Sequence, residues 1–267
     1  YDQSIDESGI SLEMNYNFGP GKLTSITAQR EWKRVAGADS DYTGLDLLYS
    51  LRSQGAGVEF SNFTQELRYA GNVGKLDYLF GGFYSNETID RHDRFRIGDD
   101  YAGYIGALLL GPAALTAPNS ALVQRVLDVQ GAAGPLIPVA NRGQFGAGGG
   151  TFDDYTQKSK AFSVFTHNIF EVNDALSFTL GLRYTNQEKT FRADYFTSGN
   201  QPCKAFEGTF GLNPVAQLAS SAATAGLAPI AGALCAPWMR SALDNIDHRQ
   251  RKEEKEWSGI FSGAYKF

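Results

Sequence analysis

The sequence predicts an all-β chain: an antiparallel set of about seven membrane-crossing strands with long loops on one side. Three observations carry this expectation. Apolar and polar residues alternate with period two in separate segments, short and long connections alternate along the chain, and aromatic residues gather near the strand ends.

The first segment is Ile10 to Phe18, in which Ile10, Leu12, Met14, Tyr16 and Phe18 alternate with Ser11, Glu13, Asn15 and Asn17. Successive strand side chains point to opposite faces, so one face is apolar and the other polar. Beyond Gly19-Pro20-Gly21, the stretch Lys22 to Lys33 is rich in β-formers (Thr24, Ile26, Thr27, Trp32) but alternates poorly. Phe63, Leu67 and Tyr69 oppose Thr64, Glu66 and Arg68. After Gly71 to Gly74, the residues Leu76, Tyr78, Phe80, Gly82 and Tyr84 form the next apolar row, with Leu79 and Phe83 on the polar side. A weaker segment follows at Phe162 to Phe170, and a clean one at Leu176 to Glu188 beyond the turn Glu171 to Asp174. Trp257, Phe261, Tyr265 and Phe267 mark the last.

Gly, Asn, Asp and Pro fill the short connections, as tight hairpins require. The long ones run over about 34–57, 92–157 and 191–251. Compact soluble domains rarely carry structureless loops beyond about 15 residues. A barrel in an outer membrane has short turns on one side and long loops on the other. Tyr16, Phe18, Tyr69, Tyr78, Phe170 and Phe178 lie near the short turns, and Trp32, Tyr84, Tyr184 and Trp257 toward the long loops, as two interfacial girdles would. The net charge of -5 argues against a nucleic-acid partner. No run approaches the roughly 20 apolar residues of a membrane helix.

The ordered set of strands resembles the TonB-dependent outer-membrane receptors of Gram-negative bacteria. The resemblance is carried by Leu23 to Trp32, Phe63 to Arg68, Gly74 to Tyr84 and Leu176 to Thr185. It implies a 22-stranded barrel around a plug and an active transport receptor for a scarce nutrient such as a siderophore, cobalamin or a carbohydrate. Residues 1–267 would then form part of the barrel domain, an internal stretch of a longer receptor. The implied partners are the TonB complex, reached through a plug outside this chain, the nutrient ligand, and outer-membrane lipid and lipopolysaccharide. The implied activity is transport, not catalysis. A passive porin-like channel is the second reading, favoured by the terminal Tyr265-Lys266-Phe267, and a soluble β-sandwich adhesion module the third.

Arg183, Glu66, Arg68 and Asp77 are expected to line the lumen, and Leu180, Leu182 and Phe80 to face lipid. The candidate ligand site is in the second loop, where Arg91, Arg94 and Arg96 lead into Asp99, Asp100, Tyr101 and Tyr104, mixing cations with aromatics. The alternative is that Arg91 to Arg96 continue the strand above the membrane and meet lipopolysaccharide phosphates. Cys203 and Cys235 share the third loop and are expected to form a disulfide. His92, His167 and His248 have no metal-ligand spacing, and Asp99-Asp100 and Asp153-Asp154 read as solvated loop charges. The run Gly146 to Thr151 reads as flexible loop, because it lacks the lysine of a phosphate loop. No Gly-x-Ser-x-Gly elbow is present, and no catalytic residue, metal or cofactor is assigned. Short helical patterns mark Ser120 to Gln130, with Asn119 as cap, and Pro214 to Leu234.

Overall fold

A computed structural model describes residues 2–101, 104–105, 148–199, 207, 211, 213–223, 225–235, 244 and 247–267. Seven long antiparallel strands form one sheet: β1 (Gln3–Phe18), β2 (Gly21–Ala36), β5 (Gly57–Val73), β6 (Leu76–Ile97), β7 (Gly150–Glu171), β8 (Leu176–Ser198) and β9 (Asp247–Tyr265). The short β3 (Ala38–Asp39) and β4 (Leu48–Ser50) lie in the first long connection, and β4 pairs with β6. Each long strand lies beside its sequence neighbours in the order β1-β2-β5-β6-β7-β8-β9, so β1 and β9 are the edges among the described residues. No helix among them is long and apolar enough to cross a membrane.

Every expected strand is present, and all are longer than their alternation suggests. β6 and β7 have 22 residues and β8 has 23, or roughly 70 Å at about 3.3 Å per residue, whereas a tilted strand crosses a bilayer in about 9–11 residues. The connections therefore shrink to 37–56, 98–149 and 199–246. The expected loops over 34–57, 92–157 and 191–251 include strand at both ends. Hydrophobic alternation stops where the convex face ceases to be apolar, but the backbone ladder continues above it.

The register sorts the side chains into two faces. One carries Glu66, Arg68, Asp77, His167 and Arg183, the other Phe80, Leu180 and Leu182, as expected. Thr24, Thr151, Asp153, Ser159, Ser163, Ala193 and Thr197, all buried, lie on the polar face. Side chains converge on the inside of a curved sheet, so the polar face is the concave one. The apolar face is splayed and exposed: Ile10–Phe18, Leu76–Tyr84, Phe162–Phe170, Leu176–Tyr184 and Trp257–Tyr265 align at one level. Each of these runs covers about 27 Å along its strand, close to the apolar band of about 25 Å of membrane barrels.

Local chemistry explains the turns and the fit of the rings. Gly19 and Gly74 supply the positive φ of the two-residue turns. Asn173 Oδ1 accepts from the N–H groups of Ala175 and Leu176 at the third turn. Tyr69 lies over Gly21, where a Cβ would stand 2.8 Å from the ring, and donates to the Phe18 carbonyl at 2.7 Å. Phe18, Tyr69, Tyr78 and Phe80 follow one another at 5.7–6.4 Å along the turn end, and Tyr184 and Trp257 meet at 4.9 Å at the other end of the band. Trp32 does not join that girdle. It pairs with Phe60 on the face of Glu66, because β2 turns its polar row outward.

That outward row explains the poor alternation of Lys22 to Lys33. Within the apolar band, Thr27 donates to Gln65 at 2.5 Å, Gln65 to Ser25 at 3.0 Å and Gln29 to Ser61 at 3.1 Å. Polar groups facing a nonpolar medium persist when they satisfy one another.

The glycine run is only partly loop: Gly150 and Thr151 begin β7, and a Cβ on Gly150 would stand 1.8 Å from the Phe95 carbonyl oxygen. Pro214 to Leu234 is not one helix but two, α1 (Pro214–Ala219), capped by the Asn213 side chain, and α2 (Ala228–Cys235). Asn119 and Ser120 to Gln130 lie outside the described residues.

Candidate functional site

Above the apolar band, the concave wall of β6–β9 brings together residues that the sequence scatters. Ala193 is fully buried, and its small side chain sits in register between Tyr155 and His248. Around it Tyr155 stacks on Phe191 at 6.3 Å, Tyr195 meets Tyr155 edge-on at 5.8 Å, and His248 meets Tyr195 edge-on at 5.5 Å. Such pairs contribute about 0.5–1.5 kcal/mol each beyond burial and hold the rings in place. Arg91 faces the same side and donates from Nε to Asp93 at 2.8 Å. That hydrogen bond and the Asp93 charge raise the Arg91 pKa, so its cation persists at all ordinary pH. A cavity of about 420 Å³ is bounded by Ile89, Arg91, Asp93, Tyr155, Gln157 and Phe191. The wall therefore offers aromatic faces beside a fixed cation, a combination suited to planar or anionic ligands.

The seven residues singled out in the sequence do not converge there. Arg91 alone lies on the concave wall. Arg94 and Arg96 point to the convex side, because they are separated from Arg91 by odd steps along β6. The Arg94 side chain is only 15% exposed. It pairs with Asp154 at 2.6 Å and donates to the Asp153 carbonyl at 3.0 Å, while His92 Nδ1 lies 2.6 Å from Asp154. Burial alone would raise the Asp154 pKa, but the hydrogen bonds and charges of His92 and Arg94 bring it below the ordinary carboxylate value. Arg96 lies 4.0 Å over the Phe152 ring and donates to Gln54 Oε1 at 2.8 Å and to the Gly148 carbonyl.

Asp99 and Asp100 are exposed, as solvated loop charges are, and they also fasten the first long connection. The Asp99 N–H donates to Asp46 Oδ2 at 3.0 Å, and Asp100 Oδ2 accepts from the Asp46 N–H at 2.9 Å. Gly98 permits the approach, since a Cβ there would stand 2.2 Å from the Asp46 carbonyl oxygen. Tyr101 is buried, which pushes its hydroxyl pKa up; Tyr104 is 44% exposed. Asp153 and Asp154 are strand residues on opposite faces, not loop charges: Asp153 is 1% exposed and accepts from the Tyr155 hydroxyl at 3.2 Å. Cys235 is disulfide-bonded. The other cysteine of the chain, Cys203, lies outside the described residues.

The chain is similar in structure to the ferric yersiniabactin uptake receptor of Yersinia pestis, with a TM-score of 0.52 and 9% sequence identity. The likeness covers 98% of this chain and 26% of that receptor, so the chain spans about a quarter of its length. No protein-family model and no curated protein matches the sequence. At this identity the likeness establishes the fold: an antiparallel segment of the type found in a receptor barrel.

Tyr155, Phe191, Tyr195 and His248 are the site residues the sequence alone does not pick out. They lie above the band, where neither face repels water and the apolar period vanishes. The remaining signal is an unbroken register from the clean segments below, which would have extended β7 to β9 upward.

Proposed function

We propose that the chain is part of the barrel domain of a TonB-energised outer-membrane receptor that transports a scarce nutrient and performs no catalysis. The observation that supports this reading is the eight-step apolar band shared by neighbouring strands, with short turns below it and strands of 22–23 residues that continue well above it, about twice the 9–11 residues needed to cross a bilayer. Such strands raise the loops well clear of the surface, where a dilute ligand can be caught. The structural neighbour takes up ferric yersiniabactin, which makes a metal chelate the first ligand class to test here. The concave wall around Arg91, Tyr155, Phe191 and Tyr195 would contact it, and the TonB complex would act through a plug outside this chain.

The experiment has two arms. Expressed in a Gram-negative host, the protein should be recovered from the outer-membrane fraction with detergent; recovery in the soluble fraction would overturn the reading. Ferric chelates should then quench the tyrosine and tryptophan fluorescence of the purified protein, and Tyr155→Ala should weaken that binding by about tenfold, the loss of one stacked ring. Uptake that persists without the TonB complex would favour a passive channel.

A further inference from the structure

The concave face carries a second basin beside the aromatic wall. It has a volume of about 640 Å³, and on this face Arg34, Ala36, Ala56, Val58, Arg91 and Asp93 bound it. Arg91 and Asp93 also bound the smaller cavity at Tyr155, so the two adjoin. One cross-strand row explains the arrangement: Arg34 is in register with Val58, Val58 with Arg91, and Arg91 with Tyr155. The two arginines thus stand two strand spacings apart, about 10 Å, with Val58 between them. Ala38 and Ser50, from the small β3–β4 pair, line the basin above.

The charge of the basin is unbalanced. On this face it holds two cations against one carboxylate, in a chain whose net charge is -5. Arg91 donates to Asp93 through Nε, which leaves its two terminal nitrogens to a ligand. Arg34 is exposed, donates to Gln3 Oε1 at 3.2 Å and forms no ion pair among the described residues. Trp32, Phe60 and Ile89 form an apolar row in register on the same face, about 6.7 Å below the arginines.

We propose that the basin binds a ligand with free carboxylates, anchored by Arg34 and Arg91 with its body over Trp32 and Phe60. Guanidinium forks meet carboxylate oxygens in pairs, and two forks about 10 Å apart fix the orientation of an acid with several such groups. The aromatic row below supplies flat apolar contact. The proposal narrows the metal chelate suggested above to an anionic one and rests on that reading. It also adds β2 and β5 to the binding wall, and it gives the inward-facing Trp32 a role.

The test uses the whole protein extracted from membranes in detergent, with ferric citrate and a neutral ferric trihydroxamate as probes and tryptophan quenching as the readout. Ferric citrate should bind more tightly than the trihydroxamate. Arg34→Gln should weaken ferric citrate about tenfold, the loss of a charged hydrogen bond, and leave the trihydroxamate unaltered. Trp32→Phe should reduce the quenching by ferric citrate. Lys33→Gln, on the convex face of the same strand, should leave both probes unchanged. Heat-modifiable migration on gels establishes that each variant is folded. Absence of citrate binding, equal affinity for both probes, an Arg34→Gln variant that weakens both alike or neither, or full quenching in Trp32→Phe would overturn the proposal. The Tyr155→Ala result and the fractionation test the underlying reading separately. Metal-free citrate that binds as tightly as the ferric complex would support the basin and overturn the metal-chelate class instead.

Discussion

Asp46 and Asp100 hold each other across two connections: the Asp46 N–H donates to Asp100 Oδ2 at 2.9 Å, and the Asp100 N–H donates to the Asp46 carbonyl at 3.0 Å. The first long connection is thereby tied to the top of β6. Asp100→Ala removes one of the two bonds and should cost about 1 kcal/mol. Faster amide exchange over residues 37–56, with β5 and β6 unaltered, is the expected result; unchanged exchange would mean that β4 alone holds the connection.

Asp154 ties His92 and Arg94 to β7, and its depressed pKa gives the tie a pH dependence. A carboxyl whose pKa is lowered on folding contributes stability above its unfolded value, 3.8 here, and loses it as pH falls through the folded value. Asp154→Asn should therefore lower the unfolding temperature at pH 7, and the gap to the wild type should close below about pH 3.8. A gap that is constant down to the acid limit would contradict the assignment.

Phe165 covers Gly81 so closely that a Cβ there would stand 2.3 Å from the ring. Gly81→Val should destabilise by about 1–3 kcal/mol through overpacking. Adding Phe165→Ala should recover part of that loss, which denaturant unfolding in micelles would measure as non-additivity.

Gln65 bridges Thr27 and Ser25 on the apolar face. Gln65→Leu leaves both hydroxyls without that partner, and a loss of about 1–2 kcal/mol is expected. The triple variant with Thr27→Val and Ser25→Ala should be close to the wild type, since the polar set is then removed whole. Equal stability of single and triple variants would show that the hydroxyls find other partners.

Cys235 is disulfide-bonded, and pairing with Cys203 is proposed because the chain has two cysteines. Cys203→Ser should change mobility on non-reducing gels and lower stability by about 3–4 kcal/mol in the chain-entropy model. Unchanged mobility would mean that Cys235 bonds outside this chain.

By itself the sequence determined the strand class, the number of long strands, their faces and their short turns. Leu176 to Tyr184 can be read directly, because an apolar and a polar face impose opposite demands on successive residues. Three things were decided by tertiary structure. The strands run on through residues such as Tyr155 and Phe191, where water on both faces erases the period but the hydrogen-bond ladder persists. The trio Arg91, Arg94 and Arg96 divides between the two sides of one strand, since spacing in sequence does not reveal that a loop is strand until its partner is known. The aromatic group around Ala193 assembles from three neighbouring strands, and only cross-strand register brings such distant residues to one place.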